Sequence, residues 1–171
     1  MMKPDPTIPL SRPVAVDRLP SEGTEIVVTA TAEERERLAR DFDLPAIHAL
    51  EGRFILAGSA ARVRVRGRVT AAVRQTCVVT LDPFEGNVDE EVEVDFTAPD
   101  HLPKQVAEEV ERAPTQDEII SGQIDLGRVT SEFLALGLDP YPRKPGVAFS
   151  FEPEGEPEPS PFAALDRLKR P

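Results

Sequence analysis

The chain contains no tryptophan, one tyrosine, two histidines and a single cysteine, Cys77. One thiol makes neither an internal disulfide nor a multi-cysteine zinc site. His48 and His101 stand too far apart in sequence to form a two-histidine metal spacing. No run of about 18 apolar residues is present, so no segment is expected to span a membrane. The start, Met1-Met-Lys-Pro-Asp-Pro6, lacks the apolar centre of a signal peptide, and the cytoplasm is the expected location. Gly-rich phosphate loops, nucleophile elbows and paired-carboxylate motifs with the right flanks are also missing. We therefore expect no catalysis, no cofactor, no metal and no small-molecule substrate. Cys77 lies on the apolar side of an alternating stretch, where thiols are usually buried and inert.

Proline is what the sequence has in plenty. Its eighteen prolines among 171 residues exclude an all-helical bundle, since each removes an amide donor and clashes inside a helix. Apolar residues at 40% and charged residues at 30% suffice for one core, so a single domain with tails is expected. A formal net charge of −11 argues against a protein that simply coats nucleic acid.

That net charge conceals a segregation. Between Gly52 and Leu81 there are six arginines and no acid; between Asp82 and Asp125 there are fourteen acids against Lys104 and Arg112. Either two faces meet different partners, or two strands neutralise each other.

Periodicity places the strands. From Arg62 to Leu81 the residues Val63, Val65, Gly67, Val69, Ala71, Val73, Gln75, Cys77, Val79 and Leu81 share one face. Arg62, Arg64, Arg66, Arg68 and Arg74 fall on the other. Such a length predicts a bend or bulge at Gly67. Asp82–Asn87 reads as a turn, and Val88–Phe96 alternates again with Val92, Val94 and Phe96 inward. Shorter strands are expected at Pro13–Leu19 and Glu25–Ala30, and Ile47–Leu56 reads as a broken strand or a hairpin. Thr31-Ala-Glu-Glu34 is a capping box opening a helix to about Phe42, with Leu38 and Phe42 as its narrow apolar stripe. Asp125 caps a second helix, with Ile124 and Val129 as its staple and Leu126, Val129, Phe133 and Leu136 as its stripe. Gly137 is read as a left-handed stop. Ala98–Gly122 reads as a long loop.

The expected fold is α+β: a curved antiparallel sheet or partly open barrel with two packed helices. Residues 1–9 form a flexible start and residues 10–149 the domain. The acidic Pro/Glu stretch 150–160 is a stiff, self-repelling linker. In residues 161–171 a short amphipathic helix carries Phe162, Leu165 and Leu168 on one side and ends in Arg167, Lys169 and Arg170. It either folds back on its own sheet or docks in a partner groove.

The arginine ladder is the strongest polar feature. Alternate residues of a strand are about 6.6 Å apart, near the spacing of successive phosphates, so Arg62, Arg64, Arg66, Arg68 and Arg74 are candidates for RNA contact. The competing reading sets Asp89, Glu91, Glu93 and Asp95 beside them and cancels both charges. No aromatic residue interleaves the ladder to stack on bases.

Three blocks carry a family resemblance. Gly67-Arg-Val-Thr-Ala-Ala-Val-Arg-Gln-Thr-Cys77, followed by Leu81-Asp-Pro-Phe84, is the first. Gln123-Ile-Asp-Leu126, with Glu132 and the leucine-rich stretch to Pro140, is the second. Pro161-Phe-Ala-Ala-Leu-Asp-Arg-Leu-Lys169 is the third and most specific. In this order they resemble the YceD-like proteins, also called large ribosomal RNA subunit accumulation proteins. The resemblance implies a bacterial, cytoplasmic, non-enzymatic factor needed for accumulation of large-subunit (23S) rRNA. Its expected partners are precursor large-subunit rRNA or a large-subunit ribosomal or assembly protein; the alternative is an acidic adaptor guarding a basic ribosomal protein. Phe162, Leu165, Leu168, Lys169 and Arg170 are the partner-docking candidates. The family's usual Cys-x-x-Cys stands here as Cys77-Val-Val-Thr80, and no cysteine follows between Leu138 and Val147, so metal binding does not carry over.

Overall fold

A computed structural model of the chain describes residues 9–20, 23–101 and 117–148. Among these residues seven strands and two helices follow in the order β1 (Pro13–Ala15), β2 (Thr24–Thr29), α1 (Ala32–Asp41), β3 (Ala46–Ser59), β4 (Arg62–Thr76), β5 (Pro83–Thr97), β6 (Asp117–Glu118), β7 (Gln123–Asp125) and α2 (Leu126–Gly137). β2, β3, β4 and β5 form an antiparallel meander, and β6 adds two residues parallel to β5. β2 and β6 are the edges, so the sheet does not close into a barrel. β1 and β7 pair separately.

The alternation of β4 sets the two faces. Val63, Val65, Val69 and Val73 have no solvent exposure, while the intervening arginines lie in water. Both helices complete the buried side. α1 rests on β3, with Leu38 and Ala39 buried and Phe42 packed against the core, as a lid. Its capping box forms: Thr31 Oγ1 accepts the Glu34 N–H at 3.3 Å and the Glu34 carboxylate accepts the Thr31 N–H at 2.8 Å. α2 lies over β5 and β4. Asp125 caps it through the N–H groups of Gly127 and Arg128, and also takes the Ser11 hydroxyl at 2.5 Å and the Arg12 N–H at 2.7 Å. One carboxylate thus fastens the amino-terminal segment to the start of α2.

Several boundaries differ from the sequence reading. β3 is continuous, and its irregularity is a register shift between Ile47 and Ala49. Gly67 keeps regular register, opposite Phe54 and Val92, so there is no bulge at this position. β4 stops at Thr76; the reversal is made by Cys77–Asp82, where Cys77 N–H donates to Asp82 O and Leu81 N–H to Cys77 O, both at 2.9 Å. The expected turn at Asp82–Asn87 is instead the start of β5, because Pro83 opens an edge-compatible extended stretch paired with Thr76. Beyond Ala15 the first expected strand becomes a 3₁₀ turn, Val16–Arg18. On α2 the buried residues are Leu126, Gly127, Val129, Thr130 and Leu134, and Leu136 is exposed. The stripe is rotated because Thr130 satisfies its hydroxyl on the Leu126 carbonyl at 2.7 Å and so enters the core. Gly137 is not a left-handed stop. It ends α2 against β5, where a Cβ would lie 2.6 Å from Glu90 Cγ and crowd Val88. The linker 150–160 and the helix expected in 161–171 lie outside the described residues.

Candidate functional site

The outer face of the sheet carries the arginine ladder, and register decides what it meets. Arg64 stands opposite Asp95, Arg66 opposite Glu93, Arg68 opposite Glu91 and Arg74 opposite Glu85. Asp95 receives Arg64 Nε at 2.8 Å and Arg62 Nη2 at 2.9 Å; Glu93 receives Arg66 at 2.8 Å. Arg68 reaches diagonally to Asp89 at 2.8 Å, and Arg74 holds Glu85 at 2.6 Å. Arg53 on β3 pairs with Glu51 at 2.7 Å. All five ladder arginines are therefore engaged by carboxylates of β5. Hydrogen bonding from Arg64, then Arg62, holds the Asp95 carboxyl at about 2. Arg74 lowers Glu85, whose other oxygen lies 3.0 Å from His48 Nε2. The face is a neutralised mosaic, interrupted by the exposed apolar side chains Val27 and Ile55.

A second feature lies at the β4–β5 hairpin end. The loop after α2 is pinned to it: Val78 N–H donates to Pro142 O at 2.9 Å, and Gln75 Nε2 reaches the Asp139 carbonyl at 3.5 Å. Between them sits the buried Cys77 thiol. The Lys144 N–H, then the Thr80 N–H, bond to its sulfur, with the Thr80 hydroxyl and Val79 N–H adding to them, and they bring the thiol from 9.0 down to about 7. The two loops then display Val78, Leu81 and Tyr141 to solvent; Leu81 is 76% and Tyr141 71% exposed. Leu81 holds φ +61°, a strained value for a side-chain-bearing residue. Arg143 and Lys144 follow on the same loop, both exposed. Among the described residues Arg143 has no ion pair, and Lys144 approaches Asp82 only at 4.0 Å.

Sequence reasoning found the ladder and missed this end. Its signal was present in Pro140-Tyr-Pro-Arg-Lys-Pro145, where the chain's one tyrosine precedes two cations. Phe162, Leu165, Leu168, Lys169 and Arg170 lie outside the described residues. Among the described residues there is no group of three His, Cys, Asp or Glu able to hold a metal, and no helix long and apolar enough to cross a membrane. His101 sits on an exposed 3₁₀ turn, Pro99–His101.

Fold and surface together define a small α+β protein built around an open sheet with one face buried and one charged. Residues 65–169, well over half the chain, match the family described as large ribosomal RNA subunit accumulation protein YceD, and the chain belongs to that family. The match begins inside β4, so β1, β2, α1 and β3 precede it. No curated protein and no solved structure matches the chain.

Proposed function

We propose that this chain is a non-enzymatic factor of large-subunit biogenesis in the bacterial cytoplasm, supporting accumulation of 23S rRNA by binding precursor rRNA. The family match over residues 65–169 carries the reading. On this reading Arg62, Arg64, Arg66, Arg68 and Arg74 contact phosphate by exchange, displacing Asp95, Glu93, Asp89 and Glu85. Exposed ion pairs are worth only about 0–1 kcal/mol each, so exchange costs little. Phe162, Leu165, Leu168, Lys169 and Arg170 are proposed to dock on an early assembly protein.

A second reading makes the chain an adaptor for a basic ribosomal protein. The observations favouring it are the net charge of −11 and the engagement of every ladder arginine by an acid. Depletion followed by ribosomal particle profiling tests the assignment: large-subunit rRNA should fall more than small-subunit rRNA, and equal levels would sink it. Crosslinking in the same cells separates the readings, because the first predicts recovery of RNA and the second recovery of protein alone.

A further inference from the structure

The ladder lacks two properties that binding of unpaired RNA uses: free cations and an aromatic surface on which a base can stack. The hairpin end has an exposed aromatic ring and, among the described residues, an unpaired cation in Arg143. Tyr141 is 71% exposed, so its ring faces are open to a ligand. Its backbone N–H is taken by the Asp139 carboxylate at 2.8 Å, which fixes the loop. Arg143 and Lys144 come next in the chain; among the described residues Arg143 has no ion pair, and Lys144 is held only by the long 4.0 Å contact to Asp82, where each ladder arginine sits within 2.9 Å of a carboxylate.

Rigidity strengthens the case. The Asp139 carbonyl is reached by Gln75 Nε2 at 3.5 Å and the Pro142 carbonyl is held by Val78 N–H at 2.9 Å. Pro140, Pro142 and Pro145 restrict the backbone further. Tyr141 is thereby presented on a loop tied at both sides, which lowers the ordering entropy that binding would otherwise have to offset. Val78 and Leu81 extend the apolar surface beside it.

We infer that the joined loops Cys77–Asp82 and Leu138–Ala148 form a contact site for unpaired RNA, with Tyr141 stacking on a base and Arg143 and Lys144 holding adjacent phosphates. This rests on the RNA reading above and assigns it a place on the molecule. The ladder, in this arrangement, serves phosphates that arrive after the hairpin end has engaged.

The test is an anisotropy titration of the full chain with a uridine-rich single-stranded RNA oligonucleotide. Tyr141→Ala should weaken binding about tenfold, which converts to roughly 1.4 kcal/mol, while Tyr141→Phe, which keeps the ring, should bind like the natural chain. Arg143→Gln with Lys144→Gln should weaken binding and lower the slope of log K against log[salt] by roughly 1.4, the value for two phosphates of a single strand. All these side chains are exposed, so melting temperatures should not change. Equal binding by the natural chain and both sets of variants overturns the site. A natural chain that binds no RNA overturns the RNA reading itself. Variants that lose capture of a purified basic ribosomal protein, with RNA affinity intact, also overturn the site and assign this end to protein.

Discussion

Gly67 of β4 lies so close to Arg53 of β3 that a Cβ on the glycine would overlap the Arg53 carbonyl oxygen and come within 2.9 Å of Phe54 Cα. Both obstacles are backbone of a central strand, which cannot move aside as a side-chain tip can. Gly67→Ala should therefore cost about 3 kcal/mol or more, read as a lower urea midpoint. Gly86 on β5 is the control. A Cβ there meets the end of the flexible Gln75 side chain at 3.3 Å and Val73 Cγ2 at an ordinary 3.8 Å, so Gly86→Ala should stay within about 1 kcal/mol of the natural chain. Equal effects at the two positions would mean that close approach of β3 and β4 is not the reason for Gly67.

The ladder gives a second expectation. Changing Arg64, Arg66 and Arg68 together to Gln removes three exposed pairs, so the melting temperature should fall slightly at low salt and by less at high salt. Affinity for the uridine-rich RNA should fall less than with Tyr141→Ala, because carboxylates already occupy these arginines. A larger loss at the ladder would reverse that order. Acid titration adds a check on Asp95. Its folded carboxyl lies at about 2 against an ordinary 3.8, so its contribution is present above 3.8 and is lost as pH falls toward 2. Replacing Arg64 should shrink that part of the acid response, and replacing Arg62 with it should remove the remainder.

Period two made the sheet legible: Val63, Val65, Val69 and Val73 on one side and arginines on the other needed only alternation and a buried face. Caps were equally local, since Thr31 with Glu34, and Asp125 with Gly127 and Arg128, satisfy neighbours a few residues away. Close approaches were not legible. Gly67 and Gly137 depend on what lies opposite, the β3 backbone at the first and the Val88 and Glu90 side chains at the second, which no window of sequence contains. For the same reason the ladder was visible but its pairing partners were only one of two alternatives, settled by the β4–β5 register. The hairpin end escaped because it joins residues more than sixty positions apart through Val78 and Pro142.

The carboxyl-terminal segment yields a third expectation. The sequence Glu152, Glu154, Glu156 and Glu158, spaced with prolines, is of a composition expected to extend a chain, whereas a segment that closes its own core is expected to follow a short turn. Deleting Pro161–Pro171 should leave the melting temperature of the isolated protein nearly unchanged and abolish recovery of its protein partner. Burying Phe162 in a groove is worth about 1.5–3 kcal/mol before entropic costs, enough for the loss to register. A truncated chain that melts several degrees lower would place the segment in the domain's own core.

Cys77 gives the last expectation, from the sign of its ionisation. Its sulfur is bonded by the Lys144 and Thr80 N–H groups, the Thr80 hydroxyl and the Val79 N–H, all of which favour the thiolate and bring it from 9.0 to about 7. Between these values the unfolded chain binds more protons at this position than the folded one, so stability rises with pH across the window. The contribution is complete above 9 and is lost as pH falls through 7. A serine keeps the hydrogen-bonding shape and does not ionise. Melting temperatures of the natural chain and Cys77→Ser, followed from pH 6 to pH 10, should therefore diverge above about pH 7, the natural chain gaining relative to the variant. Parallel curves would show that the loop contact at Lys144 does not depend on the charge of the sulfur. Burial of Cys77 keeps this thiolate from bulky alkylating reagents, so slow modification at pH 8 should accompany the stability gain, and rapid modification would indicate that the two loops separate readily.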